Sequence, residues 1–283
     1  MKVDFFNFYY FMYIFIAFTL CLLLYLILKN KTKKQQYTTL LIIVFLNLAL
    51  HFMKLLFPPY RDALPGSIRK ITPENICAVS TIVLPILFVL KNRKILNNYF
   101  FFISFCGGIG AIFIPTEALG KNPFVFDTIR FYICHIVLLI IPILLASLDL
   151  FKPTLKKTLW IPTMFILIET LILLNEIILI KIGFVNSSLK DFLDPNIRNS
   201  SLIFGPIKEM ESFQGIITIF VPKIFTQNIF NIEGVGNFYW PVIWLIIPSF
   251  IYLPLVYILL CAIFNTNEIK TYIKELIKKR RYA

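Results

Sequence analysis

Three side chains in this sequence have the chemistry for nucleophilic catalysis: Cys77 in TPENICAVSTIVLP, His51 in LNLALHFMKLLF and His135 in RFYICHIVLLIIPILL. The thiolate is the reactive form of cysteine, and a neighbouring imidazole can generate it. The two histidines are the only ones in the chain, and both lie in strongly apolar stretches. Ionisable groups inside a bilayer are expensive and mark functional positions by default. The competing explanation is three polar groups packed inside a helix bundle.

The elements that must position them are membrane helices. Hydrophobic residues make up 58% of the chain and mean hydropathy is +0.80. That is more apolar surface than a soluble domain hides, so lipid is the solvent and helices must satisfy their own backbone groups. The fold class expected is an all-α polytopic bundle. Seven stretches are long enough to span, at about 5–28, 37–58, 73–90, 96–116, 127–150, 157–181 and 240–264. They form one membrane domain, 1–265, with a long loop over 182–239 and a basic tail over 266–283. The first stretch is too long for a cleavable signal peptide and lacks a small-residue cleavage site.

Net charge is +13, yet its distribution argues against nucleic acid. KNKTKKQQ carries four lysines, KNRKILNN three basic residues, the segment around FKPTLKK three more, and the tail adds Lys270, Lys274, Lys278, Lys279, Arg280 and Arg281. These segments fall on one side of the membrane, so the N-terminus is expected outside and the C-terminus in the cytoplasm. The tail NEIKTYIKELIKKRRYA suits either anionic headgroups or solvent. Within the 182–239 loop, GIITIFVPKIF is apolar but too short to span, which suits an interfacial or re-entrant segment or a lid over the outer face. The cysteines Cys21, Cys77, Cys106, Cys134 and Cys261 form no CxxC pair, so no disulfide framework, metal site or cofactor is expected.

Counting ~1.5 Å per residue from the span ends places His51 and His135 roughly 10 Å, and Cys77 roughly 6 Å, below the outer surface. Thr72-Pro73 reads as the N-cap and first residue of the third span. Other polar groups gather at this level. Asn47 and Lys54 share a helix face with His51, and Asp127 and Arg130 are spaced to pair across one turn. Glu117 follows Pro115-Thr116, and Asn175 and Glu176 lie near the end of the sixth span, with Glu169 deeper on the same face. His51, Asn47, Asn75 and Glu176 are therefore candidate supporting residues. Arg130 and Lys54 are candidates for a phosphate headgroup, since guanidinium presents a planar fork of donors; an ion pair with Asp127 is the plainer role for Arg130. Cys134 points about 100° away from His135 on the helix and is a poor partner. The small residues of SFCGGIGA suit close helix packing.

Three segments, ENICAVSTIVLP, GGIGAIFIPTEALG and FDTIRFYICHIVLL, together resemble the YwaF-like bacterial integral membrane proteins and their animal relatives, transmembrane lysophospholipid acyltransferases of ether lipids. The shared pattern is a Cys early in one span with a Pro two turns on, a small-residue span ending in a Pro-acidic turn, then an aromatic run into a His. It is firm over about 73–150 and thins through Asn175-Glu176 and GNFYWPVIW. The resemblance implies a multi-span fold in a bacterial plasma membrane, with Cys77 as nucleophile and His135 as base. The chain departs from the pattern in having Asn75-Ile76 where many bacterial members carry a His or similar polar residue, and in its long 182–239 loop.

Three functions follow. An acyltransferase would move a fatty acyl group between phospholipid and lysolipid through a Cys77 thioester, and with water admitted the same residues make a lipase. A transporter or small-solute or lipid-binding protein fits the membrane carboxylates and Pro85, Pro142 and Pro162, although no inverted repeat is visible. An assembly partner in an envelope complex is the third. Membrane phospholipids are the expected partners in the first case. The charge alternation carries its own test. Cysteine-accessibility labelling in intact cells is expected to reach positions near Pro65 and Asn199 but not near Lys33 or Lys279. The reverse pattern would invert the depth assignments.

Overall fold

The structure, a computed structural model, describes residues 1–90, 94–198, 201–206 and 211–281. Asn199 lies outside the described residues, as do part of the 182–239 loop and the last two residues of the tail. Six helices are long and apolar enough to cross a membrane. They are α1 (Phe8–Leu28), α2 (Lys33–Met53, continued by a 3-10 turn Lys54–Leu56), α4 (Lys94–Phe113), α5 (Phe126–Ser147), α6 (Trp160–Lys181) and α10 (Ile246–Phe264, led in by a turn Ile243–Leu245). The third expected span is a shorter helix, α3 (Ile76–Leu90), of 15 residues. At ~1.5 Å per residue it covers about 22 Å, less than a ~30 Å hydrocarbon core. Among the described residues the β-type pairing is a single bridge, Val3 with Leu119.

Local chemistry explains the ends. Thr32 and Gln35 form a reciprocal capping box at the start of α2. Asn7 caps α1 by accepting from the Tyr10 N–H at 2.9 Å. The third helix departs from the sequence expectation. It opens at Ile76, capped by the Asn75 side chain, which accepts from the Ala78 N–H at 2.8 Å. Thr72 is not the cap, because its hydroxyl donates instead to the Arg69 carbonyl at 2.7 Å. The stretch between α2 and α3 folds as 3-10 turns, Arg61–Ala63 and Gly66–Ile71, across one end of the bundle. Pro85 and Pro142 lie inside continuous helices and Pro162 in the first turns of α6, so none of them breaks a span.

The core gathers around α5, most of which is buried, while α1 presents Phe8, Phe11, Phe15 and Phe18 outward as lipid-facing surface. Helix α4 packs most extensively on α5, α2 lies against α3 and α5, α1 against α5, and α6 against α10. The buried residues of α2 are Gln36, Leu40, Val44, Asn47 and His51, one stripe at helical spacing. Those of α6 include Ile168, Glu169, Ile172 and Glu176.

The 182–239 region carries the short helices α7 (Leu189–Leu193), α8 (Pro195–Arg198) and α9 (Glu211–Thr218). It is tied down at the start of α10. The fully buried Trp244 donates from Nε1 to the Leu202 and Ile203 carbonyls at 3.0 and 3.1 Å. Gly205, at φ +122°, lies so near the Tyr239 ring that a Cβ there would be 2.5 Å from it. Ile216, Ile219 and Phe220 stay exposed around the end of α9. The tail forms α11 (Thr266–Arg281), anchored where Glu268 accepts from the Leu155 N–H at 3.2 Å and from Asn265 Nδ2 at 2.9 Å.

At Gly108 a Cβ would stand 2.5 Å from the Leu139 nitrogen and 2.9 Å from the His135 carbonyl oxygen, both α5 backbone atoms that cannot rotate away. Gly108→Ala is therefore expected to cost about 1–3 kcal/mol, as overpacking does, read as a lower unfolding midpoint in detergent. Gly110→Ala, with nothing within 4 Å of its Cβ, is expected to be neutral. Equal midpoints would show that α4 and α5 do not meet at Gly108.

Candidate functional site

Cys77 sits in the first turn of α3, half-buried, two residues after the Asn75 cap. The N–H groups of this turn have distinct partners. That of Ile76 donates to Ser201 Oγ at 3.1 Å, from the 182–239 region, and that of Ala78 to Asn75. The Cys77 N–H meets no acceptor among the described residues. A free N–H at a helix N-terminus, where the dipole is positive, suits an oxygen that gains negative charge.

His135 lies on α5, two turns after its start, half-buried against Phe131 with ring centroids 4.4 Å apart. Its Nδ1 is 2.7 Å from the Phe131 carbonyl oxygen. A carbonyl only accepts, so in the neutral ring Nδ1 carries the proton and Nε2 keeps its lone pair. His51 is fixed in the opposite sense. Its Nε2 is 3.2 Å from the Ile71 carbonyl, which leaves Nδ1 as the free acceptor.

Two consecutive glycines of α4 contact the residues that carry the nucleophile and base candidates. A Cβ on Gly107 would stand 3.2 Å from Cys77 Sγ, while Gly108 touches the α5 backbone at His135 itself. The Cys77 thiol and the His135 backbone thus lie against adjacent residues of α4. No hydrogen bond joins the thiol and the imidazole among the described residues. Glu117, exposed after the end of α4, is within electrostatic reach of both, and Cys134 is within reach of Cys77. Cys134 is buried and senses Arg130 and Lys54.

Beside this pair stands a cluster built on Tyr60, which the sequence reading passed over. The Tyr60 hydroxyl donates to Asp127 Oδ1 at 2.8 Å and accepts from Arg130 Nη2 at 3.3 Å. Burial, above all, pushes the Tyr60 phenol up from its ordinary value, and the Asp127 carboxylate adds to this, so it stays a neutral donor. Asp127 also pairs with Arg130 at 2.9 Å and with Lys121 at 2.6 Å. Lys54 is 4% exposed, makes no ion pair among the described residues, and lies 5.8 Å above the Tyr60 ring; Arg130 lies 5.6 Å from the same ring. Arg130 thus has the Asp127 partner that its spacing suggested. Three cations around one carboxylate leave an excess of positive charge, with Glu117 as a further acid near Lys54.

The supporting candidates divide. Asn47 faces the bundle on the His51 stripe, and its side-chain oxygen has no hydrogen-bond partner among the described residues. Asn75 spends its oxygen on the helix cap. Glu176 belongs to a different cluster, accepting from Arg69 Nε at 2.7 Å. Arg69 and Lys70 also hold Glu74, at 3.6 and 3.3 Å, and Asn175 donates to Thr72 at 2.9 Å. This clamp fastens the segment that launches α3 to α6, and Glu176 belongs to it. Tyr60, Lys121, Arg69 and Ser201 reach the site from loops, and only the polar, Pro-rich character of 58–75 hinted at the first and third. Glu169 is wholly buried and neither carboxyl oxygen has a hydrogen-bond partner among the described residues; Tyr99 is within its electrostatic reach. No group of three His, Cys, Asp or Glu side chains among the described residues could hold a metal ion.

No curated protein matches this sequence, and no solved structure matches it. One family model does match, that of the TMEM164 family, over residues 5–260. This range runs from before α1 nearly to the end of α10, takes in Cys77, His135 and the Tyr60 cluster, and shows that the chain belongs to the TMEM164 family.

Proposed function

We propose that this multi-pass membrane protein is a lipid acyltransferase of the bacterial plasma membrane, with its N-terminus outside and the Cys77 end of the bundle toward the outer leaflet. The observation that carries the reading is the double glycine of α4, which sets Cys77 Sγ beside Gly107 and the His135 backbone against Gly108. The fixed Nδ1–H of His135 supports it, because the Nε2 lone pair is then the one available to a thiol.

The chemistry runs in two halves. His135 Nε2 takes the Cys77 proton, and the sulfur attacks the ester carbonyl carbon of a phospholipid. The developing oxyanion lies over the Cys77 N–H. The C–O bond breaks, the leaving glycerol oxygen takes the proton back from His135, and a lysophospholipid departs from the acyl-cysteine. In the second half the hydroxyl of an acceptor lysolipid gives its proton to His135, attacks the thioester, and returns the thiol. Arg130 and Lys54 offer charge for the phosphate, with Tyr60 and Asp127 orienting Arg130. Helices facing lipid keep water from the thioester, and water in place of the lysolipid turns the same steps into hydrolysis. His51 and Asn47 line the approach from α2.

A second reading, solute binding or transport without catalysis, has Glu169 in its favour, since its carboxyl lies inside the bundle with no hydrogen-bond partner among the described residues, and such a group marks a functional position. Acyl exchange by the purified protein separates the two. Cys77→Ser is expected to abolish it in a protein that remains folded, and His135→Ala to lower it about 10²–10⁴-fold. The double variant is expected to lose little more than either, because the pair acts as a unit. Cys134→Ser is expected to be nearly silent, and Glu169→Gln active. Full activity of Cys77→Ser would remove the acyltransferase reading.

A further inference from the structure

The end of the bundle opposite Cys77 holds a cavity of about 770 Å³ between α2, α3, α4 and α5. This lies within the ~300–1,000 Å³ of small-molecule sites. Its walls are apolar, with Leu41 on α2, Phe88 on α3, Phe101 on α4 and Leu145 on α5 among them. Its charged groups, Lys33 and Lys34, lie in the first turn of α2, with Tyr37 and Thr38 one turn on and Asn97 of α4 as further polar lining. From Lys33 to Leu41 the helix rises about 12 Å, so the cavity is deep as well as apolar.

The charges at the Lys33 end are unequal. Lys33 Nζ donates to the Leu148 carbonyl at the end of α5. Lys34 is exposed and makes no ion pair among the described residues. The nearby carboxylate, Asp149, is matched by Lys152 at 2.5 Å. An apolar shaft with two lysines at its mouth, of which Lys34 has no ion pair among the described residues, is complementary to an amphiphile carrying an anionic head. Cations at a membrane surface attract such heads at about 1 kcal/mol each.

We propose that this cavity is a lipid-binding site, separate from the Cys77 end, that takes an anionic phospholipid with its head at Lys33 and Lys34 and an acyl chain among Leu41, Phe88, Phe101 and Leu145. It does not rest on the acyltransferase reading. The site gives the bundle a preference for anionic lipid in the leaflet on the Lys33 side.

Native mass spectrometry of the full-length protein with palmitoyl-oleoyl phosphatidylglycerol, the matching phosphatidylcholine and palmitate tests the assignment. Wild type is expected to bind phosphatidylglycerol about 30-fold more tightly than phosphatidylcholine. Lys34→Gln is expected to reduce that preference about fivefold, and Lys33→Gln with Lys34→Gln about 30-fold. Leu145→Trp, which fills the cavity, is expected to lower retention of both phospholipids. Because Lys34 makes no hydrogen bond or ion pair among the described residues, its variant tests the site even where the tryptophan variant does not fold. Cys77→Ser is expected to bind lipid as wild type does, so loss of acyl exchange and loss of this site are read separately. Equal affinity for the two phospholipids, or an unchanged preference in Lys34→Gln, would overturn the proposal. Tighter binding of palmitate than of phosphatidylglycerol would overturn the phospholipid assignment.

Discussion

Contact between the backbones of α4 and α5 at Gly108 governs the rest of the molecule. A side chain there would press on the Leu139 nitrogen and the His135 carbonyl, so only glycine lets the two helices lie this close. In a bilayer, where lipid is as apolar as leucine, such van der Waals contact is a main source of helix association. It makes α5 the most enclosed of the long helices and fixes the rotation of α4 about its axis. Since residues one apart on a helix point about 100° apart, fixing Gly108 toward α5 aims Gly107 at α3 and at the Cys77 thiol. One steric constraint therefore places the Cys77 thiol and the backbone that carries His135 against adjacent residues of α4.

The polar groups are arranged around that frame in two clusters that do different work. The Tyr60 cluster concentrates positive charge beside His135, holding Arg130 by Asp127 and Tyr60 while leaving Lys54 without an ion pair among the described residues. The Arg69 cluster has no free reactive group and acts as a fastener, binding Glu74 and Glu176 so that the 66–75 segment stays against α6. Removing one partner of such a buried pair leaves an uncompensated charge, which makes these fasteners sensitive points of the structure. The short third helix belongs to the same design. Because α3 starts at Ile76, below these loops, its first turn and the Cys77 N–H lie under loop residues, one of which, Ser201, reaches Ile76 directly.

Much of this was legible in the sequence, for definite reasons. Apolar runs of about 20 residues force helices because lipid offers no partner to a free backbone group, so six of the seven expected stretches appear as full-length helices within a few residues of the expected bounds. The i, i+3 spacing of Asp127 and Arg130 allowed the pair that the structure forms, and the small residues before Ile109 suited a close helix contact. Helical periodicity put Asn47 and His51 on one face, and both are buried on it.

What the sequence determined by itself, then, was local: which stretches are helices, which residues share a face, and that the chain lives in a membrane. These follow from hydrogen-bond satisfaction and the 3.6-residue repeat, both properties of a short segment. Tertiary structure alone decided the rest. Asn75 became a helix cap because the turns over 54–75 carry the chain into α3 three residues later than its Thr-Pro signal suggests. Glu176 became a fastener because the fold brings Arg69 to it across 107 positions of sequence. Tyr60, in an unpromising loop, became the hub of the charged cluster, and Gly107 came to face Cys77. Such pairings depend on how helices rotate and tilt against one another, which is set by the fit of many side chains at once and by no single spacing in the chain.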